Sequence, residues 1–237
     1  MLPPGGVAKE ETPYPPPPGP PPVEPPPTSI IPWEDPSRPW TGALFDTLRL
    51  LFTQPRAAFE RVPVHGDVLR PVLFGLALGW IGLVFSSVYE LTLNSMMRNL
   101  MPGAEQGFQP PRMLFLLAIP FGPLIIAVGI LLNSLFTHGG LLLAGGAKNG
   151  YVATLRAVCY AQAANLGLVL PFCGGLLAGV GSLVLVVIGV SVLHRISIGR
   201  ALVGVLIPAV VCCTCVLIGF AAFGTALFGG AMKDMMP

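Results

Sequence analysis

The chain has 237 residues, of which 53% are apolar and 10% charged, against about 25% charged in an ordinary soluble domain. Fourteen of the 24 charged residues precede Pro71, so a polar head is followed by 167 residues carrying ten charges. That distribution excludes a soluble globular fold for the second part, and a net charge of +2 gives no reason to expect a nucleic-acid partner.

Residues 1–40 hold 16 prolines, in runs such as PYPPPPGPPP and EPPP. Proline fixes φ and has no N–H to donate, so this stretch is expected to be a disordered, polyproline-II-rich tail. Such a tail serves either as a spacer or as a docking arm for the aromatic-lined groove of a cytoplasmic protein partner. No signal peptide is expected at Met1, since the first apolar run begins about 70 residues into the chain.

From Trp40 the pattern changes. Leu44, Phe45, Leu48, Leu51 and Phe52 recur at helical spacing, with Thr41 as a candidate N-cap. Pro55 ends this helix and opens a second, PRAAFERV, with Phe59 and Val62 on one side. Arg49, Arg56 and Arg61 take the polar side. The segment 41–67 is therefore expected to form two amphipathic helices lying on the membrane or packed against the bundle.

Residues 68–230 read as five membrane spans. The first covers about 71–93, with Glu90 near one end, and a polar loop over 94–112 follows. The second lies within Met113–Leu143, with MLFLLAI as an interfacial lead-in and helix proper from about Pro120. Its second half carries Asn133, Ser134, Thr137 and His138, and the short run LLLAG after His138 puts that histidine near the interface. The third, about 153–171, is short and contains Gln162 and Asn165. It is either a span with Arg156 snorkelling to the surface or a re-entrant loop. The fourth, Gly174–Leu193, is 20 uncharged residues, which as an α-helix cover about 30 Å, the thickness of the hydrocarbon core. The fifth runs over about 201–223, contains Pro208 and is anchored by Arg200.

Charge asymmetry decides the third segment. With five spans, one side collects Arg56, Arg61, Arg70, Lys148, Arg156, Arg195 and Arg200, and the other only Arg98, Arg112 and Lys233. A re-entrant loop would move Arg195 and Arg200 across, against the positive-inside rule. The expected fold is an all-α membrane protein, a five-span transmembrane bundle with its N-terminus cytoplasmic and its C-terminus on the opposite side. Small-residue spacings at Gly75-xxx-Gly79, Gly175-xxx-Gly179 and Gly181/Ser182 suggest close helix packing, within one chain or by self-association.

No HExxH, GxSxG or phosphate-binding loop is present, and no acidic pair is clustered. His65, His138 and His194 lie on different segments, and Cys212, Cys213 and Cys215 lack further metal ligands nearby. The five cysteines, Cys159 and Cys173 included, fall in or beside apolar runs and form no disulfide framework. No catalytic, cofactor-binding or metal residues are expected, and no enzyme. The candidate intramembrane polar residues are Asn133, His138, Gln162 and Asn165, since polar groups inside a span are functional candidates. Gln162 and Asn165 are expected to bond across helices. As a set, the four would suit a small-solute or ion carrier.

The run LLLAGGAKNGYVATLRAVCYAQAANLGLVLPFCGG, followed by VLVVIGVSVLHRISIGRAL, resembles the Yip1 domain family. The matching features are Gly145 and Gly146 after span two, then Leu155, Arg156, Ala157, Tyr160 and Ala161 in span three. Pro171 and Gly174 follow, then Ile188, Gly189, His194, Arg200 and Ala201. The upstream FTQPRAAFERV resembles the family's lead-in, and the likeness covers about residues 44–225. Two features depart: Ala163, Ala164 and Asn165 stand where members often have a proline, and span four has no tryptophan. The resemblance implies five spans and a cytosolic N-terminus. It also implies a non-enzymatic protein that acts as a scaffold or recruits partners in membrane organisation or trafficking. Eukaryotic members bind prenylated Rab-type GTPases, but the polyproline head looks bacterial, so a bacterial inner membrane is expected and a Rab partner is not.

Overall fold

The computed structural model describes residues 30–100 and 112–233. The tail over 1–29, most of the 94–112 loop and the last four residues lie outside the described residues. Helices are the regular structure of the described residues, which contain no strand. Two short helices, α1 (Trp40–Thr53) and α2 (Pro55–Glu60), precede α3 (Leu69–Leu100), α4 (Arg112–Leu143), α5 (Gly150–Ala161), α6 (Gly174–Leu193) and α7 (Ile198–Lys233). A 3₁₀-helix, Gln162–Val169, continues α5.

Five segments are long and apolar enough to cross a membrane: Leu69–Leu93, Leu116–Leu143, Gly150–Val169, Gly174–Leu193 and Ile198–Ile218. They alternate in direction, so the starts of α3, α5 and α7 and the ends of α4 and α6 share one end of the bundle. This end carries Lys148 and Arg195 and is called the polar end here. The polar loop expected over 94–112 begins later than its composition suggested, because α3 continues to Leu100.

Two Schellman turns close the hairpins at the polar end. After α4 the Gly146 N–H reaches Leu141 O at 2.7 Å and the Gly145 N–H reaches Leu142 O at 3.1 Å, with Gly145 at φ +65°. After α6 the same pattern joins Ile196 to Ser191 and Arg195 to Val192, with Arg195 at φ +53°. Glycine takes this left-handed position freely, whereas a side chain there costs about 1–2 kcal/mol. The turns interlock, since a Cβ on Gly146 would lie 3.0 Å from Ile196 Cδ1.

Prolines inside the spans create hydrogen-bond acceptors that neighbouring helices use. Helix α4 runs straight through Pro120 and Pro123 instead of starting at Pro120. Pro123 has no N–H for the carbonyl four residues back, and that carbonyl, Ile119 O, takes the indole N–H of Trp80 at 2.9 Å. Trp80 fits because Gly122 has no Cβ; one there would sit 2.5 Å from Trp80 Cδ1. In α7, Pro208 frees Gly204 O in the same way, and a Cβ on Gly140 would lie 2.0 Å from that oxygen. The α4–α7 crossing therefore needs glycine at 140, in backbone contact of the weak C–H···O kind.

The third segment spans by changing helix type. Twelve α-helical residues at about 1.5 Å and eight 3₁₀ residues at about 2.0 Å reach about 34 Å, enough for the hydrocarbon core. It is the most buried of the five described spans. Its narrow 3₁₀ part is wedged between α3 and α6 on small residues, with Gly82 against Asn165, Gly181 against Ala164, and Gly167 against Ala178. Gly75 and Gly79 meet Ile130 and Ile126 as close packing requires, but nothing lies within 4 Å of a Cβ at Gly175 or Gly179. That second pair faces outward and packs nothing within the chain.

Helix α1 starts after Pro39, two residues earlier than a Thr41 cap would set it. Ala43, Thr47 and Leu51 are buried, while Trp40, Phe45 and Phe52 are exposed. One side of α1 thus packs on protein and the other offers aromatic rings to the interface. Phe59 of α2 is fully buried and lies over α6 because Gly189 has no Cβ; one there would be 2.8 Å from Phe59 Cε1.

Gly140→Ala is expected to destabilise the bundle by about 2 kcal/mol or more, seen as a lower thermal midpoint in detergent. Gly175→Ala, on an open face, is expected to stay within about 0.5 kcal/mol of the parent.

Candidate functional site

The tail boundary expected at residue 40 lies too far along the chain. Residues 30–39 pack onto the polar end through a 3₁₀ turn, Pro32–Glu34. Ile31 is fully buried, and its N–H donates to Arg61 O at 3.1 Å. The Trp33 N–H donates to Thr47 Oγ1 at 2.9 Å and its indole N–H to Arg70 O at 2.6 Å. Trp33 then meets Phe74 edge to face, and Phe74 meets Tyr160 at a tilt, at centroid distances of 5.7 and 5.1 Å.

These contacts deliver Glu34 into the bundle. Arg156 Nη1 donates to Glu34 Oε1 at 2.9 Å and Oε2 at 3.0 Å, and the Tyr160 hydroxyl donates to Oε1 at 2.6 Å. Arg156 Nη2 donates to Asp67 O, and the buried Nε–H has no partner among the described residues. The two charged side chains are 1% and 7% exposed. Arg156 does not snorkel. In α5 it sits one turn before Tyr160, so both reach the same carboxylate, and burying an arginine is tolerable only with such a partner. An open cavity of about 410 Å3 adjoins the pair, with His65 and Arg70 on its wall.

The four polar candidates fall into three separate groups. His138 Nδ1 lies 3.0 Å from Thr154 Oγ1, which lies 2.9 Å from His194 Nε2. The Asn149 N–H donates to His194 Nδ1 at 3.1 Å, so that nitrogen is the acceptor and the proton of the neutral ring is on Nε2. Nε2–H then donates to Thr154 Oγ1, and the threonine proton goes to His138 Nδ1. Ser134 and Tyr151 extend the cluster with a 2.6 Å bond between their oxygens. Asn133 lies on the exposed side of α4 and accepts a bond from Thr137 at 3.3 Å. Gln162 and Asn165 bond to each other, not across helices, because residues three apart are eclipsed in a 3₁₀-helix.

Among the family-motif positions, Arg156, Tyr160 and Gly189 are buried, Gly145 and Gly146 form the α4 turn, and Pro171 and Arg200 are exposed. Sequence reading missed Glu34, Trp33 and Thr154. A signal for the first two was present, since IIPWED is too apolar and acidic for its proline-rich surroundings. Among the described residues, no group of three His, Cys, Asp or Glu side chains is placed to hold a metal ion.

A five-span helical bundle with a buried ion pair tying its N-terminal segment to span three defines a multi-pass integral membrane protein. The profile of the Yip1 domain matches residues 49–228, and the chain belongs to that family. No curated protein and no solved structure matches it.

Removing one partner of the buried pair strands the other charge. Glu34→Ala is expected to cost about 3–5 kcal/mol and to open the 30–68 segment to limited proteolysis. Glu34→Gln with Arg156→Met is expected to recover most of the lost midpoint. Burial, reinforced by His138, pushes His194 down to about 4 from 6.5. Its contribution is therefore complete above pH 6.5 and is lost as pH falls towards 4, on the order of 3 kcal/mol in full. The difference in melting temperature between wild type and His194→Gln is expected to shrink over that window.

Proposed function

We propose that the chain is a non-enzymatic scaffold that recruits a partner to the membrane, with residues 1–29 as a cytoplasmic docking arm. The observation that carries this reading is the Glu34–Arg156–Tyr160 contact, which fixes the point where the proline-rich segment meets the bundle. An arm held at its root presents its polyproline at a defined place, and little ordering is lost when a groove binds it. Arg49, Arg56, Arg61, Arg70, Lys148, Arg195 and Arg200 belong to elements at this same end, which supports a cytoplasmic assignment for it, in a bacterial inner membrane. Outward-facing Gly175 and Gly179 suit self-association in the bilayer.

A carrier draws no comparable support. Its four polar residues are bonded in three separate groups, and none of them lines the cavities at the polar end.

The test compares the full-length protein with a chain lacking residues 1–29, each cross-linked in its own membranes and purified. The deletion must stop before Ile30 so that Glu34 stays in place. A specific soluble partner recovered only with the full-length chain is the expected result. Identical catches from both chains, or self-contacts alone, would remove the docking arm.

A further inference from the structure

A groove of about 650 Å3 runs between α2 and the turn joining α6 to α7. Its accessible apolar lining is Val64, Val192 and Ile198, over the buried Phe59, Val62 and Ile196. Its rim carries Arg56, Arg195 and Ser197. One acid lines it, Glu60, which takes the Arg56 Nε–H at 3.2 Å. The terminal nitrogens of Arg56 and the whole Arg195 guanidinium have no partner among the described residues. Ser197 Oγ accepts the Arg200 N–H at 3.4 Å, so its own proton is free to donate. Donors at the rim thus far outnumber acceptors, the pattern a phosphate ester requires.

Position and shape narrow the occupant further. The groove lies where span four ends at Leu193 and span five begins at Ile198, the level at which hydrocarbon gives way to headgroups. Arginine also occupies a left-handed backbone position, φ +53°, that glycine would take without strain. Burial does not explain its presence, because the Arg195 side chain is exposed to the groove. A soluble phosphate would use the rim alone and leave Val64, Val192 and Ile198 wet.

We propose that this groove binds an anionic phospholipid by its headgroup, with Arg56 and Arg195 on the phosphate and the glycerol region against Val64, Val192 and Ile198. The site selects for charge and does not depend on which partner the arm recruits.

The test titrates the purified full-length protein in detergent with phosphatidylglycerol, phosphatidylcholine and inorganic phosphate, and counts bound lipid by native mass spectrometry. Phosphatidylglycerol is expected to be retained about fivefold to tenfold better than phosphatidylcholine. Arg195→Gly relieves the left-handed backbone, so it is expected to keep or raise the melting temperature while losing most of that preference. Arg56→Gln is expected to lose it too, and Arg49→Gln, outside the groove, to keep it. Lipid that stays bound in millimolar inorganic phosphate supports a lipid site, and lipid displaced by phosphate overturns it. Equal retention of the two lipids, an undiminished preference in both groove variants, or an equal loss in Arg49→Gln also overturns the proposal.

Discussion

The ion pair between Glu34 and Arg156 is the constraint on which the rest of the polar end depends. A guanidinium that is 1% exposed inside a bundle cannot keep its charge without a carboxylate at bonding distance. The partner comes from 122 residues away, so the N-terminal segment has to return to span three for the fold to be complete. Trp33, Ile31 and Thr47 hold it there. The pair adds little net stability by itself. What it contributes is specificity: wherever Glu34 is absent, the third segment is left with an unpaired charge, and that penalty fixes how the interfacial helices dock.

The same rule, that a polar group away from water must find a partner, shapes the spans. Pro123 and Pro208 each release a carbonyl one helical turn back, and the structure uses both. Ile119 O receives the Trp80 indole, and Gly204 O is covered by the bare Cα of Gly140. Proline and glycine therefore act in pairs on neighbouring helices, one exposing the backbone and the other letting something approach it. The 3₁₀ continuation of α5 belongs to the same economy. Its smaller radius fits between α3 and α6, and its three-residue repeat lets Gln162 and Asn165 satisfy each other.

Much of this was legible in the sequence, and the reasons are local. Span positions follow from runs of uncharged residues, so Gly174–Leu193 came out residue for residue. Pro55 as a helix start, and Phe59 with Val62 as its buried side, follow from proline's fixed φ and helical spacing. The features that stayed hidden depend on distant residues. The proline count swallowed Glu34, because nothing nearby in sequence says what its carboxylate meets. Gly175-xxx-Gly179 carries the familiar spacing and packs nothing within the chain, while Gly140 and Gly204, 64 positions apart in sequence, make the tightest crossing. His138, Thr154 and His194 lie on three segments and form one hydrogen-bonded chain only because α4, α5 and α6 meet there.

How the two ends of the bundle are held bears on mechanism. The polar end is closed by two interlocking helix caps, by Asn149 on His194 and by the Glu34–Arg156 pair. Among the described residues, contacts nearer the other end include Trp80 to Ile119 O and Tyr89 to Val169 O. A transporter that alternates access must open each end in turn. Opening this one would separate a buried ion pair in every cycle, at about 3–5 kcal/mol for the stranded charges alone, besides breaking the caps. An end so closed is ill suited to cycling and well suited to holding something still. That is the mechanical requirement of the platform proposed above, and it supports that proposal over transport on grounds independent of any motif.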